Sequence, residues 1–290
     1  MRNIYVDYFQ KATILIILPI ISLSEDIERY TIYQNHSENF HDLFLRALPN
    51  GRVTLFMHLN DNKVIFHQKE KNIKLSNFIT GIFEPDKTPY IKPHPKYNLF
   101  KGIAVTFTYR GVHNLLRMPL IKTTNTCLEF ESVFGNCGDY LIERINQANS
   151  NSEIIKILNS FFLKLSEDKS CNLPKDLHNI SDFINYKQGR LSLDDISHSV
   201  NLSYKSMYRL FNNHIGIGPK TFLKILRFNQ ACRLLRYKPR HNWNEMIYHC
   251  GYYDQSHFIK EFKFFMKESP HQFLHKSEGH FYYNRPFTFK

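Results

Sequence analysis

Two short stretches of this sequence carry side chains that can read a polyanion. In Tyr204–His214, Lys205, Tyr208, Arg209 and Asn212 recur at i, i+3, i+4 and i+7, the spacing of one helix face. Met207, Leu210 and Phe211 share a second, apolar face. A guanidinium or ammonium held this way can donate to guanine O6 and N7, and a carboxamide can bracket adenine. A second stretch, Gln255–Met266, has the same design. Phe258, Phe262 and Phe265 lie on its apolar face, while Gln255, His257, Lys260 and Lys263 are polar.

Both stretches need elements to position them. Ser192 with Asp195 three residues on is a capping-box start for a helix over Leu193–Val200. Asn201-Leu202-Ser203 is a short turn, and Ser203 can cap the next helix. In the second unit a helix over Trp243–Cys250 turns Met246 and Ile247 inward, Gly251 can take positive φ, and Asp254 can cap the second helix of the unit. Each unit reads as a helix-turn-helix. A helix from Pro219 to about Tyr237 joins them, with Phe222, Ile225, Leu226, Leu234 and Leu235 as its apolar stripe. Lys220, Lys224, Arg227, Arg233 and Arg236 make its exterior basic. About 18 helical residues give a spacer of roughly 27 Å. With the width of each unit added, the two reading helices can lie about 34 Å apart, one turn of B-DNA.

The charge distribution agrees. The chain has 290 residues and a formal net charge of +12. Residues 181–290 hold 17 basic and 8 acidic residues, so nine of those charges lie in the last 110 positions. A hydrophobic fraction of 42% with 22% charged residues excludes a mainly disordered chain and a multi-spanning membrane protein. The length suggests two domains. Residues from about 26 to 108 read mainly as β, with runs at Arg52–Leu59, Val64–His67, Phe78–Phe83 and Leu99–Thr108. Helices are expected at Gly111–Leu116, Asp139–Gln147 and Glu153–Leu165. The expected organisation is a β-rich domain over 1–170, a linker over 171–180, a helical domain over 181–275 and a tail over 276–290. The apolar run Ala12–Leu23 is too short to span a bilayer, and its β-branched content favours a buried strand over a targeting segment.

Catalytic signatures are weak. Cys127, Cys137, Cys171, Cys232 and Cys250 are an odd number with no C-x-x-C pair, the pattern of reduced thiols in a cytoplasm. His36, His41, His58, His67, His94 and His113 form no H-x-H pair, so no metal site is expected. No phosphate-cradling loop or nucleophile elbow occurs. Phe56, Phe66, Phe83, Tyr97, Phe100 and Phe107 are expected as plain core, with an apolar ligand pocket as the alternative.

The chain also resembles the AraC/XylS-type bacterial transcription regulators. The first unit and linker helix carry Leu202-Ser203, Met207-Tyr208-Arg209-Leu210-Phe211, Gly216-Ile217-Gly218-Pro219-Lys220 and Ile225-Leu226-Arg227-Phe228, then Ala231 and Leu234-Leu235. The second unit carries Cys250-Gly251-Tyr252-Tyr253-Asp254-Gln255-Ser256-His257-Phe258, Phe262-Lys263, Ser269-Pro270 and Phe273. The similarity covers about 185–275. It implies base contacts from Lys205, Tyr208 and Arg209 in the first unit and from Gln255, Ser256, His257 and Lys260 in the second. Ser203, Lys220, Lys224, Arg227 and Lys263 are the candidate phosphate contacts. Two positions depart from the family pattern: Lys267 stands where a Gly is usual, and Phe264 where a basic residue is usual. Arg46-Ala47-Leu48-Pro49-Asn50-Gly51 and the strand Ile103–Phe107 resemble the cupin-like domain that precedes such modules in Bacteroidetes-type members.

The expected fold class is therefore α+β. A β-rich cupin-like barrel or sandwich with helices precedes an all-α domain of two helix-turn-helix units. The expected partner is double-stranded DNA, with no cofactor and no catalysis. The resemblance adds a small-molecule effector, RNA polymerase and a second copy of the chain as candidate partners. Two readings from other classes compete: a β-barrel enzyme with an accessory basic domain, and a membrane-surface protein using residues 12–23.

Overall fold

A computed structural model of the chain describes residues 4–9, 12–35, 45–46, 49–59, 63–68, 71–93, 101–167, 183, 191–237 and 243–275. The expected linker and tail lie outside these residues, as do Cys171, His36, His41, His94, Tyr97 and Phe100. The N-terminal part is built from strands β1 (Ile4–Phe9), β2 (Ala12–Ile17), β3 (Ile27–Asn35), β4 (Leu45–Arg46), β5 (Val53–His58), β6 (Val64–Gln68), β7 (Lys71–Leu75), β8 (Asn77–Thr80), β9 (Tyr90–Pro93), β10 (Lys101–Phe107) and β11 (Cys127–Glu129). They form a seven-stranded sheet in the order β1-β2-β3-β10-β5-β8-β11 and a four-stranded sheet in the order β4-β9-β6-β7. All pairings are antiparallel.

The larger sheet is covered on both faces, and this determines its residues. Every side chain of β5 is buried. Phe56 faces the smaller sheet and stacks on Phe78 at 5.2 Å; Phe66 meets Phe78 at 6.0 Å. Leu55 and Met57 alternate to the other face and join Ile103, Val105 and Phe107 in the main core. There they meet helices α1 (Tyr109–Leu116), α2 (Phe130–Gln147) and α3 (Asn151–Ser166), with Phe107 on Phe162 at 5.6 Å. Phe56, Phe66, Phe83 and Phe107 are thus core. α2 begins nine residues before the expected start at Asp139. Gly135 takes φ 51 and ψ −145, a non-helical conformation that kinks α2 into two helical segments, the second of which contains the expected stretch. The apolar run divides: Ala12–Ile17 is a strand with Ile14 and Ile16 buried, Pro19 lies just beyond its end, and Ile21 is 81% exposed while Leu23 is buried. No described helix is long and apolar enough to cross a membrane.

The C-terminal part contains α4 (Leu193–Val200), α5 (Tyr204–His214), α6 (Pro219–Tyr237), α7 (Trp243–His249), α8 (Gln255–Met266) and α9 (Pro270–His275). Its bounds follow the sequence pattern closely, because caps and turns fix them. Ser192 accepts from the Asp195 amide, and the Asp195 carboxylate accepts from the Ser192 amide at 2.8 Å, the expected capping box. α6 runs 19 residues, about 28 Å at 1.5 Å per residue.

The two parts share one continuous core, and the junction passes through the first helix-turn-helix unit and the linker helix. Tyr109 of α1 packs on Phe222 of α6 at 5.7 Å. The Asn50-Gly51 turn lies against Phe222 and Ile225, and Gly51 at φ +70 accepts a hydrogen bond from the Tyr109 hydroxyl at 2.6 Å. Beneath it, Arg52 lies 4.5 Å over the Tyr109 ring and pairs with Glu28 at 2.7 Å. Gly216, in the loop after α5, sits so close to the 120–124 segment that a Cβ there would lie 1.9 Å from Thr124 Oγ1. His113 of α1 faces His214 of α5, ring centroids 5.8 Å apart.

Candidate nucleic-acid interface

The two units have the same turn. In the first, the Asn201 amide donates to His198 O and the Leu202 amide to Ser197 O. In the second, fifty positions on, the Gly251 amide donates to Tyr248 O and the Tyr252 amide to Ile247 O. Both Asn201 (φ 51) and Gly251 (φ 79) are left-handed, the conformation that closes a helix C-terminus and redirects the chain. Each reading helix is then capped. Ser203 Oγ accepts from the Ser206 amide at 3.2 Å, and Asp254 Oδ1 from the His257 amide at 2.7 Å.

These caps set which side chains face outward. On α5, Met207 and Phe211 are buried while Lys205 and Arg209 are exposed and Tyr208 is half-buried. On α8, Phe258, Phe262 and Phe265 are buried while Gln255, Ser256, Lys260 and Lys263 are exposed. Ser203, Lys220 and Lys224 are exposed as well. Ser192, Lys220, Lys224, Leu223 and Tyr248 line an open groove of about 550 Å³ between the units. The linker-helix lysines thus lie exposed along this groove.

Two expected contacts have other engagements. Arg227 lines the same groove but is 19% exposed and forks onto Glu261 of α8. Its Nε donates to Oε1 at 3.2 Å and its Nη2 to Oε2 at 2.9 Å. His257 Nδ1 accepts from the Tyr253 amide at 3.4 Å, and its Nε2 is 3.6 Å from Glu261 Oε2. Glu261 was not visible as a site residue in the sequence, where it is one charge among aromatics. Two exposed aromatic rings flank the reading helices. Tyr253 is 92% exposed just before α8, and Tyr204 is 47% exposed at the start of α5. The Tyr204 hydroxyl donates to Asp194 of α4, and that hydrogen bond raises its pKa above the ordinary phenol value.

No group of three or more His, Cys, Asp or Glu that could hold a metal ion occurs among the described residues. His58 is buried beside Phe78, and desolvation lowers its pKa to about 4. Burial likewise lowers the pKa of His113 and His214 at the junction.

The chain is similar to known proteins in sequence. A helix-turn-helix domain family matches residues 196–276. The lactose operon transcription activator of Staphylococcus xylosus is 28% identical over 104 residues, covering 33% of this chain and 37% of that protein. The transcriptional activator RhaS of Salmonella arizonae is 32% identical over 68 residues, 23% of this chain and 24% of the relative. The matches thus span well under half the length of the curated relatives. Among solved structures, ToxT K231A from Vibrio cholerae is similar over 85% of this chain and 97% of its own, at 12% identity and a TM-score of 0.49.

Proposed function

We propose that this chain, whose residues 196–276 are a helix-turn-helix domain of the AraC/XylS type, is a sequence-specific, double-stranded-DNA-binding transcription regulator. The observation that carries the reading is the repeated turn. Two identically hydrogen-bonded turns present two capped helices with exposed donors, joined by a rigid spacer of about 28 Å. Adding the half-width of each unit brings the readers near the 34 Å repeat of B-DNA, so both can enter successive major grooves from one side. Lys205 and Arg209, with Tyr208, read the first half-site; Gln255, Ser256 and Lys260 read the second. Ser203, Lys220, Lys224 and Lys263 contact phosphates.

In this proposal the β-rich part serves effector sensing, dimerisation or both, and the whole chain is a cytoplasmic regulator without catalytic activity whose partners besides DNA are a small molecule, a second copy and RNA polymerase. The route from the β-rich part to DNA is the junction, where His113 and Thr124 bear on the first unit and Gly51 and Tyr109 on the linker helix. A conformational change there shifts the first reading helix relative to the second. The test is selection of binding sites from random duplex DNA by the full chain. A site with two conserved blocks about one helical turn apart is expected; recovery of no enriched sequence refutes the proposal.

A further inference from the structure

Among the described residues of 191–275, Glu261 is the one buried acid, 6% exposed. It lies on the Phe258 and Phe265 face of α8, where an unpaired carboxylate would be costly to desolvate. Three groups offset that cost. Arg227, on the linker helix, supplies a two-pronged charge-assisted fork. The Tyr252 ring stacks under the same guanidinium, 5.1 Å from Cζ. His257, one turn earlier on the reading helix, places Nε2 3.6 Å from the carboxylate while its Nδ1 is held by the Tyr253 amide. The linker helix, the turn and the reading helix thus converge on one side chain.

We infer that Glu261 is a positioning residue for the second reading helix. It clamps α8 to the linker helix through Arg227 and steadies the first turn of α8 through His257. The inference rests on the DNA-reading function proposed above. Arg227 is then a brace rather than a phosphate contact, and His257 a support rather than a base reader. The brace fixes the angle between the two units, and with it the half-site spacing the protein accepts. On the linker helix, contact with phosphate is left to Lys220 and Lys224, whose side chains are exposed.

The two roles for Arg227 differ in salt dependence. Removing a phosphate contact lowers the slope of log K against log salt by about 0.9 per contact; removing a brace leaves it unchanged. The experiment uses the full chain and the duplex that wild type recovers from random DNA. Arg227→Ala, Glu261→Gln, their combination and the charge-exchanged Arg227→Glu/Glu261→Arg pair are titrated at several salt concentrations. Each is also titrated against duplexes with one base pair inserted or deleted between half-sites. Both single variants are expected to lose about tenfold in affinity through a looser second unit. Their salt slope stays that of wild type, and the combination costs no more than either change alone. Discrimination against the respaced duplexes narrows, and the exchanged pair regains part of it. A slope reduced by about 0.9 in Arg227→Ala, with Glu261→Gln binding as wild type or tighter, overturns the inference. Glu261→Gln keeps the side-chain shape, so it reports even where Arg227→Ala unfolds. Failure of wild type to recover any duplex refutes the function itself; a reduced slope refutes only the brace.

Discussion

Gly216→Ala probes the junction between the β-rich part and the reading domain. Gly216 adopts φ +84, and an added Cβ would lie 1.9 Å from Thr124 Oγ1, 3.2 Å from Thr124 Cβ and 3.1 Å from Ile121 Cα. Two penalties combine. The left-handed backbone costs an L-residue about 1–2 kcal/mol. Overpacking against the 120–124 segment costs about 1–3 kcal/mol more. Destabilisation of about 2–5 kcal/mol is expected, read as a lowered urea midpoint of the full chain. Thr124→Ala alone should cost about 1 kcal/mol, because Thr124 Oγ1 donates to Leu120 O at 3.3 Å. The double variant separates the terms. Deleting the hydroxyl relieves the 1.9 Å clash and leaves the backbone term and the contacts at 3.1 and 3.2 Å, so the pair should be about 1 kcal/mol or more less destabilised than the sum of its parts. Strict additivity would mean that Thr124 does not face Gly216, and that the junction lies elsewhere.

Other outcomes follow from single sites. Arg209→Ala should weaken binding to the selected duplex by about 1–3 kcal/mol and relax specificity at one base pair, checked by repeating the selection with the variant. The desolvated histidines have pKa values below the usual 6.5, so their neutral forms are favoured in the folded chain. Their contribution to stability should be constant above pH 6.5 and fall as pH drops below it, for His58 down to about pH 4. His58 accounts for about 3 kcal/mol of this, and a His113→Phe variant should show a shallower fall in pH-dependent urea titrations. Lys267 closes α8 at φ 63, and its ammonium lies 5.3 Å over the Phe264 ring. Lys267→Gly should raise the thermal midpoint slightly, by roughly 0.5–1 kcal/mol of stability, since the backbone relief exceeds an exposed cation–π contact.

The reading domain was legible in the sequence because local chemistry defines it. Ser192, Ser203 and Asp254 cap helices within the segment that names them, and Asn201 and Gly251 mark turns. α6 was harder. Its expected stripe omitted Leu223 and Phe228, and Asn229 and Gln230 are buried too, because this helix packs on the β-rich part and on both units at once. Arg227 looked like a free cation because its partner lies 34 residues away on another helix. In the β-rich part, β3 carries Glu28 and Arg29 inside a buried network, which breaks the alternation that would have marked Ile27–Asn35 as a strand. The departures at Lys267 and Phe264 are answered by the left-handed cap and the ring-to-ammonium contact.

Hydroxyl-radical footprinting of the full chain on its selected duplex tests the central claim most directly. Two capped helices on a spacer of about 28 Å predict two protected tracts about 10 base pairs apart on one face of the duplex. A single tract, or two tracts on opposite faces, would contradict the account.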